Sequence, residues 1–222
     1  MNIQKALSAF VFIGTLAGCA TESSQSVAVQ QTASQSSANA YSGVRHPIIV
    51  GQFDNKSNYM RGMFTDGEDR LGSQAKTTLI GHLQRTRRFS IMERDNMDAL
   101  SKEAKYRNAT QKIKGAKYVV VGDVTEFGRK DTGDKQLFGI LGSGKKQTAY
   151  SKVTLNVIDA DSSEVVFSAS GAGEYALSDR EVVGFGGSSG YDSTLNGKVI
   201  DLSIREAVDR LVEGLQNGDW SL

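Results

Sequence analysis

From residue 45 onward, segments with strand-like patterning and segments with apolar residues at helical spacing follow one another in the order β-α-β-α-β-β-β-α. That order restricts the chain to an α/β (α+β) fold, a mixed β-sheet flanked by helices. Ile48–Phe53 is a short buried strand, followed by a polar turn at Asp54-Asn55-Lys56-Ser57. Leu71, Ala75, Leu79 and Leu83 recur every four residues, the apolar stripe of a helix over about 66–87. Phe89–Glu93 alternates as a second strand. Asp95 is placed to cap a second helix through about Tyr106, with Met97 and Leu100–Ala104 on its inner side. Lys117–Phe127 (KYVVVGDVTEF) is the clearest strand. Ser151–Asp159 and Glu164–Ser170 flank Ala160-Asp161-Ser162-Ser163 as a β-hairpin. A closing helix over about 197–216 carries Ile204, Val208, Leu211, Val212 and Leu215 on one face.

The segment before this domain is of a different kind. Lys5 is followed by an apolar run from Ala6 to Ala17, shorter than the roughly 20 residues a membrane-spanning helix needs. The run ends in Leu16-Ala17-Gly18-Cys19, which resembles a bacterial lipobox: cleavage before Cys19, then acylation of its thiol. Residues 1–18 are then a signal peptide and Cys19 the lipidation site. Ala20, rather than Asp, after the cysteine is similar to an outer-membrane address. Each buried acyl CH₂ contributes about 0.8 kcal/mol, so several chains on one cysteine anchor without a membrane helix. Residues 20–44 are mostly Ser, Gln, Ala and Thr. They have too little to bury to offset their ordering entropy and form a flexible tether; residues 45–222 form the periplasmic domain.

Composition removes several functions. With 26 Lys and Arg against 25 Asp and Glu, and no basic run longer than a pair, the chain lacks the electrostatic footprint of a nucleic-acid binder. One cysteine and two histidines supply neither a disulfide nor a zinc site. No metal and no cofactor is expected. Gly139–Lys145 fits the start of a phosphate loop, but Lys146 stands where Ser or Thr should hold magnesium, and a strand-like segment follows. Gly184–Gly190 misses dinucleotide spacing by one residue. His82 flanks an apolar stripe, where a satisfied or exposed histidine is the simpler reading. Glu93 and Asp95 suit helix capping better than acid–base chemistry. No nucleophile–base constellation exists, so the chain is not expected to be an enzyme.

Ile48–Ser57 (IIVGQFDNKS), Phe89–Glu103 (FSIMERDNMDALSKE), Gly115–Phe127 (GAKYVVVGDVTEF) and Leu155–Gly171 (LNVIDADSSEVVFSASG) occur in the order found in CsgG-family lipoproteins, named for the curli secretion channel. A closing helix follows Tyr191-Asp192-Ser193-Thr194, as in that family. The resemblance covers nearly all of residues 45–222. It implies an oligomeric outer-membrane lipoprotein, a component for assembly or export of a curli-like or other cell-surface structure. The implied partners are the outer membrane through the lipid anchor, other copies in a homo-oligomeric ring, and an exported protein or accessory periplasmic lipoprotein. The alternative is a tethered periplasmic regulator similar to the lipoprotein activators of penicillin-binding proteins.

In the channel members, two hairpins per subunit join one large β-barrel. Here the glycine-rich connections Gly128–Tyr150 and Gly171–Leu195 sit where those hairpins would be inserted, and each is long enough for two strands and a turn. Candidate membrane or pore residues are Leu137, Phe138, Ile140 and Leu141 in the first, and Tyr175, Leu177, Val183 and Phe185 in the second. Ala169, Gly171, Gly173, Tyr175 and Leu177 give the second a weak period-two pattern. In the first, Arg129, Lys130, Asp131, Asp134 and Lys135 crowd a strand that should present lipid an apolar face. Trp220, past the last helix, is a candidate subunit-interface anchor, or is tucked onto its own domain.

Overall fold

In the computed structural model, which describes residues 41–59, 69–135, 143–181 and 194–222, the expected element order holds. The strands are β1 (His46–Asn55), β2 (Phe89–Met92), β3 (Tyr118–Lys135), β4 (Ser143–Asp159) and β5 (Val165–Glu181); the helices are α1 (Arg70–Arg85), α2 (Met97–Tyr106) and α3 (Thr194–Asn217). The strands form one sheet in the order β2-β1-β3-β4-β5. β1 runs parallel to β2 and β3, whereas β3, β4 and β5 form an antiparallel meander. The described residues belong to one compact unit of the chain, Gln31–Leu222.

Strand alternation sorts the side chains. Ile48, Val50, Tyr118, Val120, Val153, Leu155 and Val157 are buried on the face covered by α1 and α3. Ile49, Val119, Val121 and Ile158 point to the other face and stay partly exposed. The expected stripe of α1 (Leu71, Ala75, Leu79, Leu83) is buried, as are Ile204, Val208, Leu211 and Val212 of α3. Asp69 caps α1: its carboxylate accepts the Gly72 N–H at 2.8 Å and also takes the N–H of Asn55 at the end of β1. Asn55 in turn accepts from the Ser57 N–H and hydroxyl and donates to the Tyr59 carbonyl, which ties down the turn after β1. The turn after β4 is closed by the Asp159 carboxylate, which accepts from the Asp161 and Ser162 N–H groups. These bonds, Ser162 foremost, hold that carboxyl below the usual value.

α2 departs from expectation. None of its residues is buried, and Leu100, expected inside, is 41% exposed. The buried residues of the sheet's covered face are packed by α1 and α3. Asp95 is not its cap. The N-cap position is Asn96, whose side chain makes no capping bond. Glu93 instead ties the turn that enters the helix, accepting the N–H groups of Asp95 and Asn96 at 2.6 and 3.2 Å. The Asp95 carboxylate pairs with Lys76 on α1. Arg94 completes the Glu-Arg motif by donating to the Lys114 carbonyl at 2.6 Å, fastening the segment that leads into β3.

Candidate functional site

The long connections extend the antiparallel meander. β1 stops pairing with β3 at Asn55 and Val124, but β3 and β4 continue in register to Lys135 opposite Ser143. β5 follows β4 to Glu181, also opposite Ser143. The first connection is therefore a hairpin. The first part of the second, Gly171–Glu181, is one strand added to that hairpin, and not itself two strands and a turn. Leu137, Phe138, Ile140, Leu141, Val183 and Phe185 lie outside the described residues, as does Cys19. Ser143, Gly144 and Lys145 sit in strand β4, so the phosphate-loop pattern leads into a strand, where anion binding requires a helix N-terminus.

The small residues of β5 have a packing explanation that periodicity did not reveal. Ala169, Gly171 and Gly173 lie under α3, and a Cβ at Gly171 would overlap the Ser203 carbonyl oxygen and the Ala207 backbone nitrogen. At Gly173 it would fall 2.8 Å from the Leu202 Cβ. Helix and strand thus approach to backbone contact. Ser151 on β4 and Ser203 on α3 are both buried and share a hydroxyl–hydroxyl bond of 2.6 Å. Tyr175 continues the same face; it packs partly buried against the core, its ring 4.9 Å from the Lys198 ammonium on α3. It is therefore seated on its own domain. Leu177 lies opposite Gln147 in the β4–β5 register.

Where α3 begins, polar side chains meet. Arg129 donates to Gln147 at 3.1 Å and to Asn196 at 3.5 Å, and Asn196 reaches the Tyr59 hydroxyl at 3.4 Å. Gln147 is only 3% exposed, and the Tyr59 ring lies 4.5 Å from that of Phe127. Arg129, counted in sequence among charges on a strand facing lipid, is half-buried in this cluster. The ribbon of β3, β4 and β5 is thus fastened to the domain at its root.

His82 is a buried, hydrogen-bonded histidine. Its Nε2 lies 2.8 Å from the Asp201 carboxylate, linking α1 to α3. The bond to His82, aided by charge from His82, Arg205 and Arg85 and opposed by burial, lowers the Asp201 carboxyl below its ordinary value. A lowered folded-state value contributes stability above the unfolded carboxyl's titration that is lost as pH falls through the folded one. Asp201→Asn is therefore expected to cost about 1 kcal/mol near pH 7. Hydrogen bonds to charged groups contribute roughly 1.5–3 kcal/mol, reduced here by solvent screening. The gap from wild type should begin to narrow below about pH 4. Urea unfolding at pH 7 and at successively lower pH below 4 checks both; a gap that does not narrow as pH falls would assign the loss to packing.

Trp220 is in the core, 6% exposed, with its indole N–H donating to the Leu211 carbonyl at 3.0 Å. Gly218, at φ +82°, turns the chain back after α3 and lets the ring reach Phe89, Tyr118 and Phe167. Of the two placements the sequence allows, the indole is enclosed by its own domain.

Among the described residues, no group of His, Cys, Asp and Glu is arranged to hold a metal ion, and no helix is long and apolar enough to cross a membrane. The motifs that carry the resemblance act as caps, turn ties and packing surfaces. They build a domain from which the ribbon of β3, β4 and β5 continues.

The family described as curli production assembly/transport component CsgG matches residues 25–221. The chain belongs to this family, which makes it an assembly and transport component and not an enzyme. It is 60% identical over 206 residues to "Putative lipoprotein NMB1126/NMB1164" of Neisseria meningitidis serogroup B, covering 93% of this chain and 92% of that protein. Among solved structures it is similar to the PelC dodecamer from Paraburkholderia phytofirmans, at 17% identity and a TM-score of 0.36, over 74% of this chain and 87% of that one. It is also similar to lipoprotein GNA1162 from Neisseria meningitidis, at 13% identity and a TM-score of 0.36, over 78% and 99%.

Proposed function

We propose that this chain is an outer-membrane lipoprotein, anchored through Cys19 on the periplasmic face, whose copies associate side by side as an assembly and export component. The observation that carries this reading is the three-stranded ribbon beyond the core. Past Val124, β3 has only β4 as a neighbour, and β5 has only β4, so among the described strands both outer edges of the ribbon are open. Open edges are templates for pairing with another chain. A subunit with two of them joins neighbours on both sides.

The ribbon works in water. β3 carries Lys130, Asp131, Asp134 and Lys135 at register positions opposite Thr148, Gln147, Gly144 and Ser143. A lipid-facing Lys or Arg at the bilayer midplane costs roughly 2–4 kcal/mol. This stretch therefore suits a polar collar or lumen wall rather than a lipid-facing band, with passage guided by partners and without nucleotide.

The test is size-exclusion chromatography with light scattering, and negative-stain imaging, of the lipidated protein in mild detergent. Closed rings are expected, and Cys19→Ala should release the protein from the outer membrane. A monodisperse monomer at all concentrations would overturn the assembly reading in favour of a tethered periplasmic regulator.

A further inference from the structure

On the face of the ribbon turned away from α3, side chains of β3, β4 and β5 build a hollow. Ser151 and Gly173 face α3: the first bonds to Ser203, and a Cβ on the second would meet Leu202. Their strand neighbours, Tyr150 and Lys152 on β4 and Ala172 and Glu174 on β5, therefore turn to the opposite face. Register sets Lys152 between Glu126 and Ala172, and in the next row Tyr150 between Gly128 and Glu174. Glu126, Tyr150, Lys152, Ala172 and Glu174 line one open hollow of about 340 Å³. That volume lies at the lower end of the roughly 300–1,000 Å³ typical of ligand sites. The short side chain of Ala172 makes the depression, and longer ones wall it.

The walls have a definite chemistry. The Tyr150 ring lies across Gly128, where a Cβ would fall 2.5 Å from its Cζ and its hydroxyl oxygen. The ring is thus seated on glycine backbone, which fixes its plane, yet the residue is 45% exposed. Lys152 is drawn to Glu126, its Nζ 3.6 Å from the Glu126 Oε1. Glu174, opposite Tyr150 and exposed, has no ion-pair partner among the described residues. The hollow therefore sets an aromatic face beside a carboxylate that no cation of its own neutralises. Both attract positive charge, the ring through its quadrupole and the carboxylate through its full charge.

We propose that this hollow binds the guanidinium of an arginine side chain carried by a partner polypeptide. The planar group stacks on the Tyr150 ring and donates a forked pair of hydrogen bonds to the Glu174 carboxylate. A lysine ammonium is a point charge with no plane to stack, so arginine is preferred over it. Glu126 acts as a positioning residue: by holding Lys152 it keeps that ammonium from competing for Glu174. The site is complete within one copy of the chain. It goes beyond the assembly reading and stands or falls separately from it.

Saturation-transfer NMR on the full lipidated protein in detergent tests this, with empty micelles as the reference. The probes are capped tripeptides Ser-Arg-Ser, Ser-Lys-Ser and Ser-citrulline-Ser, the last nearly isosteric with arginine but uncharged. The arginine peptide is expected to bind best, and the citrulline peptide about tenfold more weakly or worse. Glu174→Gln should weaken arginine binding by about tenfold, the size of one charge-assisted pair. Tyr150→Phe keeps the ring and should bind as wild type does, whereas Tyr150→Ala should lose about threefold. Glu126→Gln releases Lys152 and should weaken binding, and adding Lys152→Met to it should restore binding, a rescue that a merely structural role for Glu126 would not give. Thermal melts matching wild type establish that each variant is folded. Equal binding of the arginine and citrulline peptides overturns the proposal, as does a Glu174→Gln variant that binds as wild type does. No saturation transfer to the arginine peptide at any concentration overturns it too, and tighter binding of the lysine peptide overturns the guanidinium assignment.

Discussion

Gly171→Val is expected to destabilise the domain by more than about 3 kcal/mol. Overpacking a well-filled core usually costs roughly 1–3 kcal/mol because neighbouring side chains can shift rotamers. At Gly171 the obstacles are the backbone carbonyl of Ser203 and the backbone of Ala207, which move only if α3 moves. Lifting α3 from β5 would also disturb the buried Ser151–Ser203 bond and the burial of Val199, Ile204 and Leu211. Valine is the better strand former by up to about 1 kcal/mol, so local propensity acts against the predicted direction. Thermal unfolding should show a drop of at least about 6–12 °C for a chain of this size. Gly115→Ala, with nothing within 4 Å of the added Cβ, serves as the control and should be near neutral. A valine variant as stable as wild type would mean that α3 is not seated on β5 as described.

That close approach also shows where sequence reading stops. Element order was legible because strands and helices announce themselves by local periodicity, and Leu71, Ala75, Leu79 and Leu83 could be assigned to a core without knowing what covered them. The role of Gly171 and Gly173 depends on helix residues more than 25 positions away in sequence, Val199 to Ala207. An alternation of small and larger residues looks the same under a helix as toward lipid. Arg129 was ambiguous for the same reason, since Gln147 and Asn196 join it only through the β3–β4 register and the start of α3. Glu93 and Asp95 suited capping by spacing, but Glu93 ties the turn before the helix and Asp95 pairs with Lys76, which depends on backbone geometry that spacing cannot supply. α2 has the amphipathic spacing of an inner helix, and its apolar residues remain outside the core. Its pattern recorded a need for burial without saying what meets it.

Trp220→Ala is expected to cost about 3–5 kcal/mol, the range for removing a large aromatic from a core. The indole meets Phe89 and Phe167 in stacked geometry at 6.4 and 6.0 Å and Tyr118 edge-on at 5.9 Å, so one substitution removes three ring contacts. It also removes the bond to the Leu211 carbonyl. Phe89, Tyr118 and Phe167 come from three strands, and the indole joins them to α3. Trp220→Phe should retain most of the burial and lose about 1 kcal/mol through the missing N–H donor, with some further loss from the smaller ring. The oligomeric state separates this role from that of an interface anchor. Loss of a core residue lowers the unfolding temperature of the dissociated subunit, whereas loss of an interface anchor disperses assemblies and leaves the subunit's own melt unchanged. The structure requires the first result, and the intrinsic fluorescence of this single tryptophan gives an independent check. Its emission should be that of a buried indole in the assembly and in the dissociated subunit alike, shifting to longer wavelength only when the domain unfolds.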